Sequence, residues 1–162
     1  MFRQMRRKKQ ALSLEESISV LKNGTSGVLA VSGDDGYPYA VPLSYVYRDS
    51  KIFFHCAKSG HKLDAVARNP KVSFCVIDRD DVVPEEHTTY FRSVIAFGTA
   101  RVLEDEDEKR DALEALAARY SLGLEQGCLR EIDQQFKKVC LVELAIEHMT
   151  GKEAVELVGR NA

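Results

Sequence analysis

This sequence of 162 residues lacks the features that mark several common classes of protein. Its formal net charge is only −2, so the chain as a whole has no electrostatic reason to bind nucleic acid or an anionic membrane. It has no apolar run long enough for a membrane span, and no apolar h-region follows the basic stretch at residues 2–9. We therefore expect a cytoplasmic protein that recognises its partners through local contacts.

Cysteine is too sparse and too irregularly spaced for a zinc site. The four cysteines are Cys56, Cys75, Cys128 and Cys140. They form no CxxC pair and lie mostly inside apolar runs, which argues against both a metal site and a disulfide framework. His87 and His148 have no spacing that pairs them as metal ligands, so no metal is expected.

Common nucleotide-binding signatures are also missing. The sequence contains neither GxGxxG after a strand nor GxxxxGK[ST], so neither a Rossmann nor a P-loop site is indicated. What is present is 44% hydrophobic and 30% charged residues, a composition typical of one compact domain over residues 1–162. Residues 1–10 form a basic tail, which we interpret as solvated rather than as a nucleic-acid arm.

The periodicity of the chain predicts helices and strands in alternation. Ser13-Leu14-Glu15-Glu16 has the spacing of a capping box and opens a first helix. Further helices are predicted over residues 60–69, where Pro70 prevents continuation, and over 105–120. Strands are predicted over residues 27–32, 37–47, 51–56, 71–77, 89–103 and 139–146.

Two connecting segments complete the prediction. Residues 78–87 indicate a polar loop, while residues 121–138 are compatible with either a helix or a loop. Gly98 interrupts a long strand and predicts a bulge or bend. Six strands joined mostly as antiparallel neighbours predict an α+β protein built around a β-barrel, with the helices packed outside it.

The junction at residues 53–62 carries the clearest chemical signal. It joins a strand to a helix and places Lys58 and Lys62 near the helix start. If Ser59 is the N-cap, the free amides of Gly60, His61 and Lys62 converge with the positive end of the helix dipole. Gly60 would let the backbone approach a ligand closely, so this point suits a phosphate. The alternative is a solvent-facing basic patch with an ordinary cap.

Two further segments are candidates for ligand contact. The strand at residues 39–47 carries Pro42 in its interior, which indicates an edge, a bulge or an opening whose free backbone groups could meet a flavin ring. An edge strand with its aromatic residues packed in the core explains the same pattern. In residues 89–98, Arg92 could hold a phosphate or form a surface ion pair, and Ser93 is the neighbouring polar position.

The order and spacing of these segments resemble the pyridoxamine-phosphate-oxidase-like split-barrel flavoproteins, and within them the nitroimidazole-resistance (Nim) branch. The resemblance extends over nearly the whole chain. The matching segments are residues 5–9, 35–42, 53–55, 60–65, 69–74, 88–94 and 148–152. It implies a six-stranded antiparallel split β-barrel with flanking helices, and a homodimer with FMN at the subunit interface.

The resemblance also implies roles for individual residues. Those that would hold the FMN phosphate are Lys58, His61 and Lys62. Those that would border the ring or line the cofactor are Val41, Pro42, Leu43, Ser44, Phe54, His55, Cys56 and Ala57. Ser93 would contribute from a facing strand, and His55 would match the histidine implicated in the reactivity of Nim proteins.

The expected chemistry is electron transfer from reduced FMN to a small acceptor such as a nitro-aromatic compound. Oxidation of pyridoxamine phosphate is not expected, because the arginine- and histidine-containing C-terminal segment that grips that substrate is absent from the sequence. Two alternatives remain open. One is a non-catalytic module that stores or senses a flavin or haem, and the other is nucleic-acid binding through the basic tail.

Overall fold

The computed structural model describes residues 1–120, 136 and 138–159. Its α-helices are Leu14–Asn23 (α1), His61–Arg68 (α2) and Glu106–Tyr120 (α3). Its strands are Ser26–Ser32 (β1), Pro38–Ser44 (β2), Val46–Arg48 (β3), Lys51–Cys56 (β4), Lys71–Val83 (β5), Thr88–Val102 (β6) and Cys140–Glu153 (β7). Apart from residues 136 and 138, the ambiguous segment 121–138 lies outside the described residues.

The strands form a single antiparallel sheet in the order β2-β1-β5-β6-β7-β4-β3. The predicted α+β class and antiparallel pairing are confirmed. The predicted strand number is wrong, because the described residues form seven strands in an open sheet rather than a closed six-stranded barrel. The single strand predicted over residues 37–47 is interrupted at Tyr45, so β2 pairs with β1 while β3 pairs with β4.

The two edge strands of the sheet are consecutive in the chain. β2 ends at Ser44 and β3 begins at Val46, so Tyr45 alone separates them. The sheet therefore has to curl until its two edges approach each other, in the direction that the natural twist of strands favours. The curl gives the sheet a concave inner face and a convex outer face.

The main core fills the concave face. Its largest fully buried members include Leu21, Leu29, Tyr45, Ile52, Phe54, Phe74, Val76, Val94, Val142 and Leu144. A second cluster on the outer side packs α3 against β4 and β7, with Phe53, Leu103, Leu116 and Leu141 buried there. α3 therefore covers the outer side of the sheet near β4.

Both long helices begin where their capping residues predict. The Ser13 hydroxyl accepts from the Glu16 amide at 3.1 Å, and the Glu16 carboxylate accepts from the Ser13 amide at 2.7 Å, so the predicted capping box is confirmed. At α3 the Asp105 carboxylate accepts from the amides of Asp107 and Glu108, each at 3.0 Å. These bonds satisfy first-turn amides that have no partner within a helix.

β5 and β6 continue much further than the sequence indicates. The predicted loop at residues 78–87 is wrong, because the ladder runs on to the Val83–Thr88 pair after a bulge between Ile77 and Arg79. The extension consists largely of exposed polar residues. It is stabilised by ladder hydrogen bonds and the cross-strand ion pair of Arg92 with Asp78. A small cluster formed by Val83, Tyr90, Phe91, Ala154 and Leu157 packs at its far end, but it is too limited to give the segment a hydrophobic periodicity.

Gly98 is confirmed as a bulge. The pairing of β6 with β7 shifts register between Phe97 and Gly98, and a Cβ atom at Gly98 would overlap the Ala145 carbonyl. The backbones approach here more closely than a side chain would allow.

The basic segment at the start of the chain is partly docked on β7. The side chains of residues 6–9 are exposed, but Gln10 is buried and donates from Nε2 to the Glu153 carbonyl at 3.1 Å. The Leu12 amide donates to the Gly151 carbonyl at 3.1 Å. The basic residues are therefore held beside the end of β7.

Candidate functional site

The sheet opens between β2 and β4, and this gap is here called the split. On one side of Tyr45, β3 pairs with β4, and the last pair before the split is Val46 with Phe53. On the other side of Tyr45, β2 pairs with β1 and not with β4. No ladder joins β2 to β4 among the described residues. Residues 41–44 therefore border the split on the β2 side, and residues 54–57 border it on the β4 side.

On the β2 side, side chains alternate between core and solvent. Val41 and Leu43 are half-buried against the main core, whereas Pro42 and Ser44 are exposed. β2 is an edge strand, which confirms the edge interpretation of Pro42. Because β1 occupies one side of β2, only the other side of its backbone is available to a ligand.

On the β4 side, the predicted residues face different environments. Phe54 is 1% exposed and belongs to the main core, so its ring faces away from solvent. His55 and Ala57 are exposed, and Cys56 is half-buried. Of this segment, His55 is the group that is both accessible and chemically reactive.

α2 begins directly after the split, but its N-cap is Gly60 rather than Ser59. Gly60 has φ 134° and ψ 166°, a conformation that is essentially restricted to glycine. The helix therefore begins one residue later than a Ser59 N-cap would require, and no side chain caps it. The Gly60 carbonyl accepts from the amides of Leu63 and Asp64 at 2.9 and 3.2 Å. The amides of His61 and Lys62 precede these first bonds and have no acceptor among the described residues, so they can donate to a ligand.

The start of α2 carries uncompensated positive charge. Lys58 is exposed and Lys62 half-buried, and neither forms an ion pair with any described residue. Together with the free amides and the helix dipole, they make this junction favourable for an anion. The structure thus brings together the predicted phosphate-binding residues Lys58, Gly60, His61 and Lys62.

The sequence did not reveal what holds α2 in place. The Asp34 carboxylate accepts from Arg68 at 2.6 Å and lies 3.5 Å from Nε2 of His61. The His61 ring stacks on Tyr39 with centroids 4.2 Å apart. Arg68 lowers the pKa of Asp34, so this carboxylate remains ionised. These partners are far apart in sequence, and no motif predicts their contact.

The thiol of Cys56 lies between the core and the start of α2. Burial raises its pKa to about 11, the neighbouring Cys140 adds to the increase, and the charge of Lys62 opposes it. Cys56 is therefore a protonated thiol at neutral pH, and Lys62 lies close enough to influence it.

Arg92 and Ser93 lie at a distance from the split. Arg92 donates from Nε to Asp78 at 2.6 Å, so it forms the ion pair that was one of its two predicted roles. Ser93 is paired with Ile77 and Lys152. Through β1 and β5, Ser93 is level with the Ser44 end of β2, from which it is separated by three inter-strand steps of ~4.8 Å each.

A groove of about 750 Å³ opens elsewhere, on the outer face beside the β1–β2 turn. None of the predicted site residues lines it. The Phe2 ring reaches this groove and stacks on His148 with centroids 4.7 Å apart. Because the groove offers few convergent polar groups, volume alone does not make it the functional site.

In the part of the chain that the structure describes, no three His, Cys, Asp or Glu side chains are grouped so that they could hold a metal ion. Within that same part, no helix has both the length and the apolar character needed to cross a membrane.

Comparison with known proteins identifies similar sequences and folds. The model of a family described as pyridoxamine 5′-phosphate oxidase matches residues 13–153. A search among curated proteins gave no match.

Solved structures share the fold over most of the chain. A candidate 5-nitroimidazole antibiotic resistance protein from Bacteroides thetaiotaomicron is 21% identical, with 88% of this chain and 86% of that chain covered and a TM-score of 0.74. An FAD-binding protein from Mesorhizobium loti is 25% identical, covering 90% and 97%, with a TM-score of 0.67. An FAD and haem binding protein from Mycobacterium smegmatis is 24% identical, covering 91% and 74%, with a TM-score of 0.73.

Proposed function

Because the chain belongs to the pyridoxamine 5′-phosphate oxidase family, we propose that it binds FMN and transfers electrons from the reduced flavin to a small acceptor such as a nitro-aromatic compound. The observation that carries this proposal is the start of α2. There, two lysines without ion-pair partners among the described residues and two free amides lie beside the open edge of the sheet.

The phosphate of FMN suits the start of α2. Lys58 and Lys62 would supply positive charge, and the amides of His61 and Lys62 would donate hydrogen bonds. The imidazole of His61 already contacts Tyr39 and Asp34, so we assign it the backbone contribution rather than a side-chain one. Gly60 leaves room for the ligand, since a methyl group there would meet no described atom within 4 Å.

The flavin ring would lie along the split. The edge of β2 that faces away from β1 has no strand partner among the described residues. The backbone groups of residues 41–44 on that edge can therefore hydrogen-bond to the polar edge of the ring. On the opposite side, His55 would line the cofactor by its exposed side chain, whereas Phe54 and Cys56, whose side chains pack on the core, would do so by their backbone. When bound, the reduced flavin supplies the electrons, while His55 can hold or donate a proton beside it.

We further propose that the site is completed by a second copy of the chain. Within one protomer β1 and β5 lie between Ser93 and β2, so the side chain of Ser93 does not border the split. The outer face near Ser93 also exposes apolar side chains, with Ile77 at 65% and Ile95 at 40% exposure. A homodimer would cover this face and could bring Ser93 to its partner's flavin.

The first experiment is the absorption spectrum of the purified protein, followed by denaturation and chromatographic identification of the released pigment. Release of FMN supports the proposal, and release of FAD would show that the protein binds FAD in place of FMN. A colourless protein that does not bind added FMN refutes the proposal. Sedimentation then tests the dimer, which a flavin-loaded monomer would contradict.

Matched lysine variants test the placement of the phosphate. Lys58→Gln and Lys62→Gln should each raise the Kd for FMN about tenfold, because each removes a charge-assisted contact of ~1.5 kcal/mol. Lys22→Gln, an exposed lysine at the end of α1, is the control and should leave the Kd unchanged. Equal affinity in all three variants would place the phosphate elsewhere.

A second candidate function is a non-catalytic module that holds a flavin or haem. It is favoured by the similarity to the Mycobacterium smegmatis protein and by the exposed His55, whose imidazole could ligate haem iron. Anaerobic mixing of the reduced, FMN-loaded protein with a nitroimidazole distinguishes the two functions. Rapid flavin oxidation that slows in His55→Ala supports the reductase, whereas an unreactive flavin supports the binding module.

A further inference from the structure

Two cysteines lie directly opposite each other in the sheet. Cys56, the last residue of β4, is the register partner of Cys140, the first residue of β7. Both are free thiols, and each lies near enough to the other for Cys140 to raise the pKa of Cys56. Cys140 is only 9% exposed, whereas Cys56 is half-buried and therefore partly accessible to solvent.

We propose that Cys56 and Cys140 are an oxidisable dithiol that closes to a disulfide across β4 and β7. Opposite residues of an antiparallel pair have Cα atoms ~4.5–5.5 Å apart, which falls within the ~4.4–6.8 Å found across disulfides. The strands are already aligned, so the bond requires rotation of the two side chains and a local approach of the two Cβ atoms, from the ~4.5–5.5 Å usual for opposite residues to the ~3.5–4.5 Å of a disulfide.

The reaction balances with a peroxide as oxidant. The Cys56 thiol releases its proton, its thiolate sulfur attacks one peroxide oxygen, and the O–O bond breaks to give a sulfenic acid and hydroxide, which takes up the released proton to form one water. The sulfur of Cys140 then attacks the sulfenic sulfur, the S–O bond breaks, and a second water leaves. Overall, the two thiols lose two protons and two electrons, and hydrogen peroxide is reduced to two waters.

The surroundings of the pair keep it reduced under ordinary conditions. Burial raises the pKa of the Cys56 thiol to about 11, so little thiolate is present at neutral pH. The dithiol should therefore be stable in a reducing compartment and close only under sustained oxidation.

The position of the bond gives it a structural consequence. It would join the end of β4, where the chain enters residues 57–60, to the start of β7. These ends are far apart in sequence, so the closed loop is long and the cross-link should stabilise the fold. The midpoint of thermal unfolding should rise when the protein is oxidised.

Cys75 provides an internal control. It is half-buried, its pKa is also raised by burial, and its register partners are Val28 and Ile95 rather than a cysteine. Cys75 is therefore a half-buried thiol like Cys56, but it lacks a directly opposite thiol.

The test uses the full chain carrying Cys128→Ala, reduced, desalted and then treated with hydrogen peroxide. Remaining thiols are alkylated, and peptides are mapped without reduction. Under denaturing conditions we expect single chains with no cross-link between them, each lighter than the reduced chain by two hydrogen atoms. We also expect a linked Cys56–Cys140 peptide and reversal by dithiothreitol. Alkylated Cys56 and Cys140 in a sample whose Cys75 is oxidised would overturn the proposal, as would a link from either residue to Cys75.

Unfolding measurements give an independent readout. Oxidation should raise the Tm of the parent and of Cys75→Ser, but not of Cys56→Ser. Cys56→Ser leaves the more deeply buried Cys140 in place and is therefore the preferred single variant. An equal rise in all three proteins would show that the stabilisation does not come from this pair.

Discussion

The hydroxyl group of Tyr120 forms hydrogen bonds with both the backbone amide and the backbone carbonyl of Tyr45. It accepts from the Tyr45 amide at 2.9 Å and lies 2.7 Å from the Tyr45 carbonyl, which it can donate to. Tyr45 is the residue between β2 and β3, where the chain exchanges one neighbouring strand for another. A side chain at the end of α3 thus replaces the ladder bonds that this peptide lacks.

Replacement of Tyr120 by Phe should destabilise the protein by about 1–2 kcal/mol, because the amide and carbonyl of Tyr45 would lose a partner in a partly buried position. Urea unfolding of the two proteins measures the difference.

Tyr37→Phe is the matched control for this change. Tyr37 is 76% exposed, and its hydroxyl makes no hydrogen bond among the described residues, so its removal should change the free energy of unfolding little. Similar decreases in the free energy of unfolding of both variants would mean that the hydrogen bonds between Tyr120 and Tyr45 do not stabilise the fold.

Gly60→Ala should cost about 1–3 kcal/mol of stability, because the backbone at φ 134° and ψ 166° is strained for any residue with a side chain. There is space for the methyl group, so the cost is conformational rather than steric. Gly36→Ala, at φ 79°, is the comparison and should cost only ~1 kcal/mol. Thermal or urea unfolding that ranks Gly36→Ala as the more harmful change would contradict this interpretation.

The buried carboxylate of Glu143 should make stability fall in acid. Burial alone would raise its pKa, but hydrogen bonds from Arg101 at 2.9 Å and Lys51 at 2.8 Å outweigh it and hold the pKa below the ordinary 4.5. A lowered folded-state pKa contributes stability that is fully present above 4.5 and is lost as the pH falls through the folded value.

Glu143→Gln should therefore lose about 1–3 kcal/mol at neutral pH and show a flatter loss of stability in acid. Glu114→Gln, an exposed carboxylate on α3 without a hydrogen bond to another described residue, serves as control. Urea unfolding over a series of pH values measures both. Parallel pH profiles for the parent and Glu143→Gln would assign the acid sensitivity to other groups.

Asp34→Asn should weaken FMN binding several-fold if the proposed site is right. The change weakens the contacts to Arg68 and His61 that orient α2, although Asp34 is not assigned to the cofactor itself. Asp35→Asn is the control, since asparagine tolerates the left-handed backbone of that position, φ 53°. Fluorescence titration with FMN provides the Kd values, and equal values would mean that the Asp34 contacts do not orient the binding residues.

The features predicted correctly from the sequence are those with a local physical cause. Ser13 and Glu16 cap the same helix turn, and Pro42 removes a ladder donor and so marks an edge. Gly98 is the residue type that a bulge requires. In each case one or two neighbouring residues restrict the backbone enough to fix the outcome.

The features that were missed depend on contacts between distant residues. The strand break at Tyr45 depends on Tyr120, and the placement of α2 depends on Asp34 and Arg68. The pairing of Cys56 with another cysteine depends on the register of β4 with β7. Sequence periodicity reports which side of an element is buried, but it does not report which element lies opposite.

The place of β7 in the strand order also has a consequence for synthesis of the protein on the ribosome. β7 lies between β6 and β4, although it is the last strand of the sheet to be made. Until residues 140–153 leave the ribosome, both β4 and β6 present a hydrogen-bonding edge that its backbone will later occupy. The nascent chain is therefore most exposed to wrong pairing just before β7 appears, and this sheet can be completed only after residues 140–153 have emerged.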